Sequence, residues 1–312
     1  MIPGVRVGHA SDPKGLTGVT VVLCDRPAVA GAEVRGRAAG VHGLEFLHPR
    51  HLAPTVDAVV LAGGSAFGLE SIWGVMQWLE ERGIGFKTRH TVVPHVAGAI
   101  LYDLGVGNHR IRPDRAMGYA AAAAARPGRV DQGSVGAGIG ATVGKLLGAS
   151  HAMRGGLGSA VTDVDGVSVG AIVAVNAVGD VRDPETGRLI AGTRDAPDSR
   201  HLVDTAAALA AGTPPPSFQP VNTTIGVVAT SAALTKAEAT RVALLAMEGF
   251  ARALSPPHLD TDGDTLFCLS VGSAPVEIDA LGRAAASVVA RAIVNGVREA
   301  TSLPGLPASR DL

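Results

Sequence analysis

Aromatic residues make up only 3% of the 312-residue chain, against 46% hydrophobic residues overall. With so few rings to fill space, the core must be built from Ala, Val and Leu and from close backbone approach, for which 41 glycines provide the means. Charge of one sign is also missing: 27 Lys and Arg face 28 Asp and Glu, and no basic cluster exceeds a few residues. A nucleic acid or an anionic membrane is therefore not expected as a partner. Cysteine is limited to Cys24 and Cys268, both in apolar segments, which read as reduced core residues rather than a disulfide or a nucleophile. The start, MIPGVRVGHASD, has neither the charged beginning nor the apolar stretch of a secretory signal. No run reaches roughly 18 uninterrupted apolar residues, so no bilayer span is expected and a cytoplasmic location is the default.

Strand-like and helix-like segments alternate. GVTVVLCD and VDAVVLAGG are short β-branched runs ended by turn residues, the pattern of buried strands. FGLESIWGVMQWLEERG places Leu69, Ile72, Trp73, Met76 and Leu79 at helical spacing, with Gly83 as its stop. DRAMGYAAAAAA is a second helix, GVSVGAIVAVNAVGDV a long buried strand, and SRHLVDTAAALAA a further helix. GTPPPSFQPV then interrupts, because three consecutive prolines join neither a helix nor a central strand; it reads as an exposed, extended connector. After it come strand TIGVVATS, a helix opened by the capping box Thr235-x-x-Glu238, strand TLFCLSVG and a last amphipathic helix after Asp279.

Several familiar chemistries fit poorly. His42, Glu45, His48 and His51 in HGLEFLHPRH match no common zinc spacing, and Pro49 interrupts any helix there, so a polar loop is the better reading and no metal is assigned. GSVGAGIGATVGKL is glycine-rich, but Ile139 stands where a Walker loop needs its first glycine, and Leu146 follows Lys145 where it needs Ser or Thr. No nucleotide or other cofactor is expected. Lys145 is the only charge in that loop, and composition leaves it open as a solvated lysine or a site residue. GGSAFG misses the G-x-S-x-G elbow by one position, with Phe67 where the second glycine belongs. It follows a strand and precedes a helix, where α/β folds present ligands, so Gly63, Gly64, Ser65 and Phe67 are candidate pocket residues rather than nucleophiles.

VNTTIG offers a different chemistry. A threonine hydroxyl is a weak nucleophile until a base takes its proton, and one available base is the residue's own α-amine, with a pKa of about 7.7 to 8. That amine exists only after the preceding peptide bond is cut. Asn222-Thr223, between the proline-rich connector and a buried strand, qualifies for self-cleavage. Asp262-Gly263-Asp264, just before another strand, reads either as an Asx turn or as acidic support for the hydroxyl and the α-ammonium. Asn176 lies within an apolar strand, where its amide must be satisfied; aiming it at a developing oxyanion is one such use.

LAGGSAFGLE, AILYDLG, GAGIGATVGK, VAVNAVGD, NTTIGVVAT and DGDTLFCLS, in this order, resemble the DmpA-like autoprocessing aminopeptidases, a family that includes L-aminopeptidase/D-esterases, β-peptidyl aminopeptidases and the nylon-oligomer endohydrolase. The resemblance covers nearly the whole chain. It implies an αββα sandwich related to ornithine acetyltransferases, self-cleavage into residues 1–222 and 223–312, and assembly as a tetramer of heterodimers. It further implies Thr223 as nucleophile, Asp262 and Asp264 as acidic support, Asn176 as oxyanion donor, and Lys145 and Tyr102 as further members of the site. Threonine, Asp-Gly-Asp and Lys145 look closer to the nylon-oligomer branch than to the β-aminopeptidases, which use serine and Ser-Gly-Glu. The expected activity is hydrolysis of small peptides, amino-acid amides or esters through an acyl-enzyme. Two alternatives remain: an acyltransferase of the ornithine acetyltransferase type, and a non-catalytic metabolite-binding protein in which the threonines only begin a strand.

Overall fold

The computed structural model describes residues 1–214 and 222–312. Nine strands form its main sheet system: β1 (Val5–Asp12), β2 (Thr17–Val34), β3 (Gly40–His42), β4 (Val56–Ala62), β5 (Val96–Ile100), β6 (Gly156–Val164), β7 (Val167–Val175), β8 (Ile225–Ala232) and β9 (Thr265–Ala274). Their order is β6-β7-β8-β9-β2-β4-β5-β3, with β1 also on β2. The long β2 joins two sheets. Residues Val19 to Leu23 pair with β1 and β4, whereas Val29 to Val34 pair with β9.

Alternation along each strand sends side chains to opposite faces, and here it generates three apolar layers. Val19, Val21 and Leu23 of β2 and Ala58, Val60 and Ala62 of β4 pack beneath helices α1 (Ser71–Glu80) and α2 (Arg115–Ala123). Their neighbours Val22, Val59 and Leu61 meet Ile172, Ile225, Val227, Phe267 and Leu269 between the two sheets. On the far side of the second sheet, Ala171, Val173, Val228, Leu266 and Cys268 face α3 (Lys236–Ala246), α4 (Glu248–Ala253) and α5 (Ile278–Glu299). Helix, sheet, sheet and helix therefore stack in the expected αββα order.

Local signals behave as their chemistry dictates, with some differences. Thr235 and Glu238 form both halves of the capping box. Cys24 and Cys268 are free and buried. The first helical pattern begins as a 3-10 segment, Ser65–Glu70, before α1. Trp73 does not face inward as its spacing implied: it is 45% exposed, edge-on to His42, and Val75 and Trp78 take the buried face with Ile72 and Leu79. The rotation follows from Gly74, whose lack of a side chain lets α2 approach closely. Helix α5 is long and apolar enough to cross a bilayer, but most of it is buried against β6 and β7, so its apolar face is occupied by protein. Of the proline-rich connector, residues 215–221 lie outside the described residues.

The tightest helix–sheet contact depends on Gly158 in β6, where an added Cβ would stand 1.9 Å from the Ala292 carbonyl oxygen of α5. That oxygen and the Gly296 nitrogen, 2.3 Å from the same position, are both backbone, so neither yields by a rotamer change. Gly158→Ala is expected to cost about 2 kcal/mol or more, the range of overpacking a close contact. Gly105→Ala, with nothing within 4 Å of its new methyl, is expected to stay within about 0.5 kcal/mol of the parent. Denaturant midpoints of the two variants check the contrast.

Candidate active site

Three strand ends meet at one edge of the second sheet. β7 runs antiparallel to β8, with Ala174 opposite Ile225, while β8 runs parallel to β9, with Ile225 beside Thr265. The C-terminal end of β7 and the N-terminal ends of β8 and β9 therefore coincide. Asn176 follows the first by one residue, Thr223 precedes the second by two, and Asp262 and Asp264 precede the third. The pairing continues past the strand ends: the Thr223 amide donates to the Asn176 carbonyl at 2.9 Å, and Asn222 bridges to Asp262 in parallel.

At this edge the Thr223 hydroxyl donates to the Asn222 carbonyl, the acyl group of its own preceding peptide bond. Asp264 is well satisfied: Oδ1 accepts the Thr224 amide at 2.8 Å, and Oδ2 pairs with His258 Nδ1 at 2.8 Å. Asp262 Oδ2 accepts the amide of Leu259, three residues earlier, at 2.8 Å, which is not the forward bond of an Asx turn, and its buried Oδ1 has no hydrogen-bond partner among the described residues. Burial, and then the neighbouring Asp264 charge, push the Asp262 carboxyl well above the usual carboxylate range.

Lys145 arrives from the glycine-rich loop. Gly144, at φ +70, packs against the Gly192 backbone, where an added Cβ would stand 1.9 Å from the Gly192 carbonyl carbon. The loop then bonds along residues 178 and 179, with the Lys145 amide donating to the Val178 carbonyl at 2.9 Å. This turns the lysine inward instead of to solvent. Its ammonium donates to Asn176 Oδ1 at 2.9 Å and Asn222 Oδ1 at 3.0 Å. Burial lowers its pKa to about 7, opposed by attraction to Asp262. Asn176 Oδ1 also accepts the Thr142 amide at 3.0 Å, while Nδ2 donates to the Tyr102 carbonyl at 3.1 Å. These opposed partners fix which end of the amide is which.

The site opens into a cavity of about 700 Å³ whose lining includes Tyr102, Thr142, Lys145 and Asn222, together with residues of 148–152, 197–198 and 304–306. Tyr102 contributes its backbone carbonyl to Asn176 and borders the cavity. Gly63, Gly64, Ser65 and Phe67 do not line this cavity. Gly64 instead donates its amide to Asp103 Oδ1 at 2.7 Å, and Asp103 does line it, so the GGSAFG turn supports the wall from behind. Phe67 is 54% exposed beneath the Arg112 guanidinium. The direction of the 3-10 turn at Ser65, with φ +54, accounts for this displacement. In the HGLEFLHPRH segment, Glu45 pairs with His51 at 3.2 Å. Among the described residues no three His, Cys, Asp or Glu are grouped to hold a metal.

Thr142 and His258 were not singled out by sequence reasoning. Thr142 sits in the same loop as Lys145, but a threonine carries no signal of its own there. His258 lies six residues before Asp264, and that proximity of imidazole and carboxylate was its available signal.

Residues 2–310 match peptidase family S58. A Mycobacterium tuberculosis protein described as an uncharacterized aminopeptidase is 39% identical, the similarity covering 100% of this chain and 96% of the relative. The 6-aminohexanoate-oligomer endohydrolase of Kocuria sp. is 32% identical over 95% of this chain and 84% of its own. Among solved structures, the L-aminopeptidase D-Ala-esterase/amidase of Ochrobactrum anthropi superposes with a TM-score of 0.71 at 19% identity, covering 98% of this chain and 88% of the other. That structure is described as a variant of the Ntn hydrolase fold, and the αββα layering found here is of the same kind. A match across nearly the entire length, joined to the fold, identifies the chain as a hydrolase and a member of peptidase family S58.

Proposed function

We propose that the chain cuts itself between Asn222 and Thr223 and then hydrolyses amides with Thr223 as nucleophile. The observation that carries the proposal is the Thr223 hydroxyl lying against the Asn222 carbonyl while the Thr223 nitrogen is held by Asn176. In self-cleavage Oγ1 bonds to the Asn222 carbonyl carbon, the C–N bond breaks, and the nitrogen takes up the hydroxyl proton. Water hydrolyses the resulting ester, leaving the Asn222 carboxyl group and a free Thr223 amine and hydroxyl. In turnover the amine accepts the hydroxyl proton as Oγ1 attacks a substrate carbonyl. It then passes that proton to the departing amine, and water releases the acyl group.

The surrounding groups have matching tasks. Asp262 Oδ1 is the acceptor for the new ammonium, which would relieve the cost of a buried unpaired oxygen. Asp264, held by His258, orients the start of β8 through the Thr224 amide. Asn176 stabilises the oxyanion, and Lys145 fixes Asn176 and the Asn222 side chain while supplying positive charge. Small peptides, amino-acid amides and oligomeric amides suit the cavity, the last in keeping with the named activity of the Kocuria relative. A cytoplasmic tetramer of cleaved heterodimers completes this reading.

Thr223→Ala is expected to remain one chain and to hydrolyse no amide, whereas Thr223→Ser keeps both reactions; electrophoresis and release of p-nitroaniline from aminoacyl p-nitroanilides measure them. Self-cleavage or hydrolysis by Thr223→Ala would overturn the assignment. Lys145→Met is expected to slow self-cleavage on the order of 10² to 10³-fold, as when an oxyanion-site donor is removed. An unchanged cleavage half-time would remove Lys145 from the machinery.

The pH dependence has a defined sign. A raised Asp262 pKa means that the ionised form needed to hold the ammonium is lost nearer neutrality than for an ordinary aspartate, with its pKa of about 3.9. Protonation of the α-amine removes the base over the same descent. The acid limb of kcat/KM is therefore expected well above pH 4. Asp264→Asn removes one cause of the raised pKa and is expected to shift the aspartate's limb downward in whatever activity remains. An acid limb near pH 4 in the parent enzyme contradicts this account.

A further inference from the structure

Arg194 is 2% exposed and takes no part in the chemistry described above. Its guanidinium collects backbone carbonyls from three separate stretches of chain. Nη2 donates to Ser150 at 2.8 Å, Ala152 at 3.1 Å and Gly305 at 3.1 Å, and Nη1 donates to Pro197. All four acceptors belong to residues that line the cavity beside Thr223's neighbours. The backbone adds to the tie: the Arg194 amide donates to the His151 carbonyl at 2.9 Å, and His151 Nδ1 meets the Arg194 carbonyl at 2.8 Å. This outer wall consists of loop segments, and one buried side chain joins them.

We propose that Arg194 is a positioning residue that fixes the outer wall of the substrate cavity and thereby sets its preference for extended over short amides. The inference rests on the cavity being the substrate site of the proposed hydrolase. A planar fork with several donors can hold three chain segments at once, whereas a lysine ammonium is a compact point on a flexible stem. Carbonyls of residues 150, 197 and 305 left without the guanidinium can turn to water, because the segments carrying them border an open cavity. A substrate that reaches only the nucleophile depends on Thr223, Asn176 and Lys145, whose partners described above come from other stretches of the chain. An oligomeric amide that fills a cavity of about 700 Å³ also needs the wall.

The test compares a short substrate, an aminoacyl p-nitroanilide, with a linear aminohexanoate oligomer, using the full chain bearing Arg194→Lys. The expected result is a rise in KM for the oligomer of about tenfold or more, kcat within about threefold, and little change in KM for the short substrate, the pattern of lost binding rather than lost chemistry. The Asn222-Thr223 cleavage half-time is expected to stay within about twofold. Gly305→Ala is the second variant, should Arg194→Lys fail to fold. Its added methyl meets nothing within 4 Å, but φ +73 resists a side chain, so the carbonyl that Arg194 holds is displaced. It should shift the KM ratio in the same direction by a smaller factor. A lowered melting temperature or active fraction with an unchanged KM ratio in the folded variants would overturn the proposal. A parent enzyme that neither cleaves itself nor hydrolyses either amide would instead defeat the functional reading beneath it.

Discussion

Thr223 is held in place by sheet register. One antiparallel and one parallel pairing, β7 with β8 and β8 with β9, force three strand ends to the same edge. The backbone bond from Thr223 to Asn176 extends the first pairing, and the Asn222–Asp262 bridge extends the second. A slip of one residue along β8 would reverse which face each side chain points to. It would take Ile225, Val227 and Ala229 out of the layer between the sheets and the Thr223 hydroxyl away from its carbonyl. The same apolar alternation that stabilises the sandwich therefore positions the proposed nucleophile.

Electrostatics acts within that frame. Lys145, Asn176, Asn222, Asp262 and Asp264 are all buried, and groups of this kind are costly unless they satisfy one another. The amide of Asn176 is pinned from both ends, by Lys145 and Thr142 on oxygen and by Tyr102 on nitrogen. The Asp262–Lys145 attraction opposes the neutralising effect of burial on the lysine. Low dielectric strengthens each of these interactions. In the proposed reaction, a site assembled in this way would need little reorganisation when charge develops on the substrate oxygen.

Much of this was legible in the sequence because its signals are local or periodic. The buried strands, the capping box at Thr235 and the αββα resemblance depend on short-range patterns and ordered motifs. Thr223, Asp262, Asp264, Asn176, Lys145 and Tyr102 lie together at one sheet edge, Tyr102 through its carbonyl rather than its phenol. Helical spacing alone does not choose between overlapping faces at Trp73, and Gly74 decides the matter through its contact with α2. The strand-to-helix position of GGSAFG points to the pocket, but Gly63 and Gly64 lie behind Asp103 and Phe67 sits at the surface beneath Arg112. The cavity's outer wall was illegible for a different reason. It is built by long-range hydrogen bonds from Arg194 to carbonyls, and backbone carbonyls are the same at every position in a sequence.

All of the proposed chemistry requires that Thr223 become an N-terminus. Intact-mass measurement on the assembled wild-type protein, with N-terminal sequencing of the smaller fragment, tests it most directly. Two fragments are expected, residues 1–222 and 223–312, whose masses sum to that of the precursor plus one water, with threonine followed by threonine at the start of the second. A single uncut chain that nevertheless hydrolyses amides at full rate would contradict it.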